Sequence, residues 1–492
     1  MKSSVRSRQE PRRVSNGVII GAMLLSLCVL SFVKARYCAT PLGKAEDQLE
    51  EQMNASIRME PEESSPARTP GEEEDEQEAE EENGVTKPPP PPPPAAVTAN
   101  RGSKKKKGKG KPTCYMTSKR SERCDASGDI RVDGNRSTIY VGGIEREWRT
   151  KPYARYHDPV AMAHVREYTL KALPEPGAAS APACTRNHTV PGFLFSNGGF
   201  SGNLYHDYTD VLVPLFISTH QFRGRVQFLV SGMKPWWVGK FTPFFRQLTR
   251  HDVIDVDKDG EVHCFPRIVV GATFHRDMGV DPRRAPGHVS AVDFKRALRA
   301  AFGLKREAAS RGGGGATGHG KPRLLIISRR GSRRFLNSRE MAVAAGDAGF
   351  EVRVAEPEQR TDMAAFAALV NSADAMVGVH GAGLTNMVFL PRGAVLVQVV
   401  PFGGLEWLTG VTFKEPAADM EVSYMDYHVR LEESSLVDQY LRGHQVLTDP
   451  YAVHRQGWDA LKTAYLDKQN IRMDLDRFRA TLREVMARLP SP

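Results

Sequence analysis

Apolar and polar positions alternate most clearly after residue 322. Arg323 to Ser328 (RLLIIS) reads as a buried strand, Ser338 to Ala348 as a helix, Glu351 to Ala355 as a strand and Asp362 to Ser372 as a helix. Ala375 to Val379 is again a strand, Gly383 to Phe389 a short helix and Ala394 to Val400 a strand. β-Branched strands separated by helical stretches predict a parallel sheet covered on both faces. An earlier alternation runs from Cys184 to Arg311. It has a strand at Phe193 to Ser196, helices at Leu204 to Thr219 and Trp236 to Thr249, and strands at Val226 to Val230, Val253 to Val256, Val262 to Phe265 and Arg267 to Val270. The fold class is α/β, in two halves joined by a Gly-rich link at 312–322 that carries Gly312 to Gly315.

The first 112 residues follow other rules. Gly17 to Val33 (GVIIGAMLLSLCVLSFV) is seventeen residues without a charge, about 26 Å as a helix. Five basic residues precede it against one acid, and Val33-Lys34-Ala35 is a poor cleavage site. A single uncleaved signal anchor is predicted, with the N-terminus cytosolic and the rest lumenal. Residues 34–112 hold the acidic run Glu72 to Glu82, seven prolines from Pro88 to Pro94 and the lysines from Lys104 to Lys111. They predict a disordered stem.

Composition then narrows the class. A chain of 492 residues with 40% apolar content is neither collagenous nor wholly disordered, and it is no multi-span transporter. Its formal charge of +10 suggests an anionic partner. Residues 1–112 carry 18 basic and 17 acidic side chains, so the excess, 50 against 41, belongs to residues 113–492. A lumenal domain rarely meets nucleic acid, which is therefore set aside. Sequons at Asn54, Asn135 and Asn187 suit a lumenal setting. Cys114, Cys124, Cys184 and Cys264 allow three pairings that sequence does not separate.

Two loops at expected strand ends carry chemistry. Arg329-Arg330-Gly331-Ser332-Arg333-Arg334 gathers four guanidiniums around one glycine, and a guanidinium offers two hydrogen bonds to one phosphate. His380-Gly381-Ala382-Gly383-Leu384 lets a ligand approach backbone N–H groups at a helix start. Together they point to a nucleotide diphosphate. In the first half, Asn197 to Asp207 (NGGFSGNLYHD) brings His206 and Asp207 to a strand end, where either is a candidate general base or a helix cap. Asp255-Val256-Asp257-Lys258-Asp259-Gly260 is read as a hairpin turn between the strands at 253–256 and 262–265, in preference to an Asp-x-Asp site for a nucleotide-bound divalent cation. As a calcium loop it fails, because its twelfth position is Pro266.

The segment VGVHGAGLTNMVFLP (Val377 to Pro391) resembles the signature of family 61 glycosyltransferases, and the likeness extends over about Cys114 to Leu489. Asn197 to Phe216, His251 to His275 and Ile326 to Asn337 are similar to the plant branch, nearest to grass xylan arabinosyl- and xylosyltransferases. The resemblance implies a GT-B type fold of two facing Rossmann-like domains, here 113–311 and 323–492. It implies inverting pentose transfer from UDP-xylose or UDP-arabinofuranose to xylan or its arabinosyl side chains. It further implies a Golgi type II membrane protein of cell-wall synthesis that requires no divalent metal. Arg329, Arg330, Arg334 and the His380, Gly381, Ala382, Gly383 and Leu384 loop would hold UDP, Glu406 would reach the ribose or sugar, and Asp207 or His206 would be the base. A transferase acting on protein N-glycans with xylose or GlcNAc, and a catalytically silent scaffold of a Golgi complex, remain alternatives.

Overall fold

The computed structural model describes residues 113–174, 182–312, 320–357 and 361–491. The expected anchor, the stem and Asn54 lie outside these, as do residues 313–319 of the Gly-rich link. No helix among the described residues is long and apolar enough to cross a membrane.

The C-terminal sheet follows the apolar pattern. It is built from β11 (Arg323–Ile327), β12 (Glu351–Ala355), β13 (Ala375–Val379), β14 (Val395–Val400) and β15 (Ser423–His428), all parallel, in the order β12-β11-β13-β14-β15. Its winding reverses between β11 and β13. In open parallel sheets that reversal leaves a crevice beyond the carboxyl ends of the two strands, which here carry the arginine loop and the His380 loop.

The first half is less regular than a doubly wound sheet. Its strands are β1 (Thr113–Ser118), β2 (Ser121–Asp133), β3 (Thr138–Val141), β4 (Trp148–Thr150), β5 (Tyr168–Ala172), β6 (Arg186–Asn187), β7 (Gly192–Ser196), β8 (Gln227–Ser231), β9 (Ile254–Asp255) and β10 (Val262–Val270). β10, β7, β8 and β9 lie parallel in that order, and β2 continues the sheet antiparallel to β10. Ile139 and Leu170 of β3 and β5 share a second core with Leu194 and Leu229 of β7 and β8. The sheet therefore folds over, and its antiparallel part covers the face of β7 and β8 opposite the helices.

The hairpin expected at Asp255 to Gly260 is absent. β9 pairs in parallel with β8, whereas β10 lies beyond β7 with β2. Asp257 explains the difference, because its carboxylate accepts from Tyr168 Oη (2.6 Å), Ser231 Oγ (3.0 Å) and Gly232 N–H (2.7 Å), tying the segment to β5 and the end of β8. The two strands expected at 262–265 and 267–270 are one, with a register shift at Pro266, which has no N–H for the ladder.

One core spans both sheets. The helix Ala291–Phe302, opened by a Ser290–Asp293 capping box, joins them: Phe294 packs on Tyr208 and Phe244, Phe302 on Phe389, and Lys295 Nζ donates to Met420 O at 2.9 Å. Disulfides link Cys114 to Cys124 and Cys184 to Cys264, choosing among the three pairings. The second closes a loop of 80 residues and the first one of 10. Chain entropy then predicts a stability loss of about 4.5 kcal/mol for Cys184→Ser against about 2.7 kcal/mol for Cys114→Ser. The shift of the urea midpoint checks that order.

Candidate functional site

The arginine loop does not turn all four side chains the same way. Arg333 adopts φ 54° and is fully buried; its Nη1 donates to His380 O at 2.9 Å. Burial lowers its pKa to about 10, opposed by Asp467, so it stays charged at neutral pH. Half-buried Arg329 donates from Nε to Ser332 O at 3.1 Å. Gly381, at φ 145°, passes so close that a Cβ there would stand 2.5 Å from Arg329 Nη1 and 3.3 Å from Arg333 Nη1. Both guanidiniums thus converge on the backbone of the His380 loop. Arg330 is exposed and turned towards β12, where it pairs with Glu356 at 2.9 Å; Arg334 is exposed, its N–H bonded to Asn470 Oδ1.

His380 is buried at the end of β13. Gln398 Nε2 of β14 lies 3.2 Å from its Nδ1 and also reaches Thr409 O, so Nδ1 accepts and Nε2 carries the proton. Burial, then Arg333 and Arg329, hold the imidazole well below its ordinary pKa, hence neutral. Its Nε2 is buried with no hydrogen-bond partner. Ala382 and Gly383 are partly exposed at the opening of a 3-10 helix, Ala382–Phe389, and Leu384 is anchored in the core. Glu406 is exposed beyond β14, 3.3 Å from His428 Nδ1.

Across from this crevice runs the helical stretch Leu204–His206, Asp207–Leu212 and Val213–Thr219, whose middle part is a π-turn. Pro214 has no N–H for the Asp210 carbonyl, and Val213 N–H reaches back to Tyr208 O, five residues away. A second π-turn, Gly410–Lys414, places Phe413 between the halves: its ring is 5.9 Å from Tyr205 and 5.9 Å from His380.

His206 and Asp207 leave the helix differently. His206 is fully buried, with Nδ1 2.8 Å from Asp210 Oδ2 and Nε2 without a partner. Asp207 Oδ1 accepts from Gly202 N–H and Trp237 Nε1, both at 2.7 Å, and so fixes the glycine-rich loop against the helix Pro235–Leu248. Burial raises its pKa to about 6, against the pull of Lys240 and the two hydrogen bonds. Protonated Asp207 therefore favours the folded state below about pH 4, and that contribution is lost as pH rises through 6, on the order of 3 kcal/mol. Asp207→Asn keeps the Oδ1 acceptor and removes the titration. Its stability relative to wild type is expected to improve by about 2 kcal/mol between pH 4.5 and 7.5 in paired urea titrations.

The structure thus brings together Arg329, His380, Gly381, Ala382 and Gly383 on one side and His206 on the other, and it sets Arg330, Arg334 and Glu406 further out on the surface. Sequence reasoning placed Arg333 in the arginine loop without giving it a role of its own, and it passed over Gln398, Phe413 and Asp210. Of these last three, Asp210 had a local signal, the i,i+4 spacing from His206 on one helix face. Several buried polar atoms of these segments have no hydrogen-bond partner: Asn197 Nδ2, Ser201 Oγ, Tyr205 Oη, His206 Nε2 and Asp207 Oδ2 from one half, and His380 Nε2 and Thr385 Oγ1 from the other. Native structures seldom leave such atoms bare except where a ligand or solvent meets them. Asn135 and Asn187 are exposed.

The glycosyltransferase 61 family model matches residues 204–397, from the helix of His206 into β14. The chain is 44% identical over 376 residues to the beta-1,2-xylosyltransferase XAX1 of Oryza sativa subsp. japonica, covering 74% of this chain and 65% of that protein. It is 40% identical over 384 residues to the alpha-1,3-arabinosyltransferase XAT2 of the same organism, covering 77% of this chain and 65% of the relative. With the beta-1,2-xylosyltransferase XYXT1, also of that organism, it shares 40% identity over 389 residues, 75% of this chain and 82% of the relative. The chain therefore spans about two thirds of the length of XAX1 and XAT2 and most of XYXT1.

Proposed function

The chain belongs to the glycosyltransferase 61 family, and from that premise we propose that it transfers a pentose, xylose or arabinofuranose, from a UDP-sugar to xylan or its arabinosyl side chains. On this reading the two sheets are the halves of a GT-B type enzyme. The C-terminal crevice takes UDP, and the first half takes the acceptor.

The observation that carries the reading is a complementary pair of bare atoms. His380 Nε2 is a buried N–H without an acceptor, beside two guanidiniums, and suits a phosphate oxygen. His206 Nε2 is a buried lone pair without a donor, and suits a sugar hydroxyl. The acceptor hydroxyl gives its proton to His206 Nε2 as its oxygen attacks the anomeric carbon. The bond from that carbon to the UDP oxygen breaks on the opposite face, so configuration inverts. The departing diphosphate gains charge, which Arg329, Arg333 and the His380 N–H stabilise without reorganising. With those cations in place, the reaction does not call for a divalent metal.

Lumenal residence in the Golgi, through the anchor at 17–33, belongs to the same proposal; the two disulfides suit an oxidising compartment. The test is to incubate the purified chain with a panel of UDP-sugars against xylo-oligosaccharides and N-glycan peptides, with and without chelator. Mass spectrometry should show one pentose added to a xylo-oligosaccharide, undiminished by chelation, and NMR should show an inverted anomeric centre. Transfer to the glycopeptide alone, or no transfer, would overturn the assignment.

A further inference from the structure

Asp210 is buried and lies one helical turn beyond His206, and a single one of its oxygens gathers three donors. Oδ2 is 2.8 Å from His206 Nδ1, 2.8 Å from Arg155 Nε and 3.0 Å from Tyr153 Oη, while Oδ1 lies 3.4 Å from Arg120 Nη2. Tyr153 Oη accepts from Phe200 N–H at 3.1 Å, so its own proton is directed at Asp210. With two guanidiniums at hand the carboxylate is ionised and can only accept. The proton between Asp210 and His206 therefore sits on Nδ1, and Nε2 keeps its lone pair.

We infer that Asp210 is a positioning residue, which fixes the tautomer and orientation of His206 so that Nε2 receives the proton of the acceptor hydroxyl. The inference rests on the proposed role of His206 as base and adds to it the group that makes the imidazole basic at the correct nitrogen. In the transfer step the hydroxyl proton passes to Nε2, the Nδ1 proton stays in its bond to Asp210, and the carboxylate balances the imidazolium that forms. Arg155 and Arg120 in turn hold Asp210, and Asp277 bonds Arg120 Nη1 at 2.5 Å. Those contacts come from the β1–β2 turn, the segment after β4 and the loop after β10, so three separate stretches of chain fix one carboxylate.

The charged and titratable groups about His206 are Asp210, Arg155 and Arg120, with Tyr153, Tyr205 and Asp277 around them. Burial lowers the pKa of His206 most, Arg155 and Arg120 lower it further, and Asp210 raises it. Asp210→Asn removes the one group that raises it. The acid limb of kcat must then move to lower pH, while the plateau falls because the amide can present its own N–H to Nδ1 and impose the wrong tautomer.

The experiment compares Asp210→Asn and His206→Ala in the full chain, with donor KM, kcat and the pH profile as readouts. Asp210→Asn should lose about 10²–10⁴-fold in kcat, with the KM for the UDP-sugar within threefold and the acid limb displaced downward. If His206→Ala retains wild-type kcat, the base reading falls and the inference with it. If His206→Ala is inactive while Asp210→Asn keeps the wild-type kcat and acid limb, the inference alone falls. Should Asp210→Asn fail to fold, because the Arg155 charge is left buried without its counterion, the tautomer is read from ¹⁵N imidazole shifts of the unsubstituted protein. A protonated Nδ1 supports the inference, and a protonated Nε2 overturns it.

Discussion

Alanine at Arg329 is expected to lower kcat/KM for the UDP-sugar by about 10²–10³-fold, the range seen when one preorganised stabiliser of a leaving-group charge is removed. The loss should appear in both KM and kcat. A diphosphate is bound in the ground state, but its charge grows only as the sugar leaves, so the contact strengthens towards the transition state. Arg329→Lys should recover part of KM and less of kcat, since an ammonium restores charge without the planar fork. The unfolding midpoint should barely move, because the side chain is half-buried and its Nε bond is to the nearby Ser332 carbonyl. Steady-state kinetics beside a thermal melt separate the two effects. Wild-type kcat/KM in a folded Arg329→Ala protein would remove this residue from the donor site.

Why Arg329 and Arg333 turn towards the His380 loop, and Arg330 towards Glu356, shows where sequence stops informing. Four guanidiniums in six residues announce an anion loop at the end of a buried strand. Which of them face inward depends on the left-handed backbone at Arg333 and on which neighbour of β11 lies at each side, β12 or β13. No local spacing encodes that order. The C-terminal strands were legible because RLLII, AMVGV and VLVQVV are buried on both faces and read as continuous apolar runs. β15 escaped notice because SYMDYH is half exposed at an edge, with no such run.

The first half was less legible for a related reason. β2 (SERCDASGDIRVD) is largely polar in sequence yet central in the sheet, where it pairs with β1, β3 and β10. Its partners are set by the fold-over of the sheet. Asp255 to Gly260 had the local form of a hairpin, and the distant Tyr168 and Ser231 overruled it through Asp257. The sequence offered two adjacent candidates for the base. Local reasoning left His206 and Asp207 equal, and each keeps one bare buried atom, His206 Nε2 and Asp207 Oδ2; their other atoms differ, since Asp207 Oδ1 holds a loop N–H and an indole while His206 Nδ1 faces the Asp210 carboxylate.

Gly381→Ala is expected to damage the site through the backbone, with a larger effect on UDP affinity than on folding. At φ 145° and ψ 177° the residue occupies a region open essentially to glycine, and a side chain there costs about 1–3 kcal/mol. The added carbon would also stand 2.5 Å from Arg329 Nη1. The end of an arginine is flexible, so the guanidinium yields rather than the sheet, and it yields away from the place where the diphosphate is proposed to sit. Strain alone would lower the melting temperature and leave UDP binding intact, and a displaced Arg329 alone would do the reverse. Both are expected here: a fall of several degrees and a rise of at least about tenfold in the Kd for UDP, the weaker end of a lost charge-assisted hydrogen bond. Gly346→Ala provides the matched control. Gly346 lies in the helix Ser338–Asp347, has no atom within 4 Å of an added Cβ, and should gain about 0.5–1 kcal/mol with unchanged UDP binding. Calorimetric titration with UDP on both variants checks this. If Gly381→Ala binds UDP as tightly as Gly346→Ala does, the His380 loop does not form the diphosphate site.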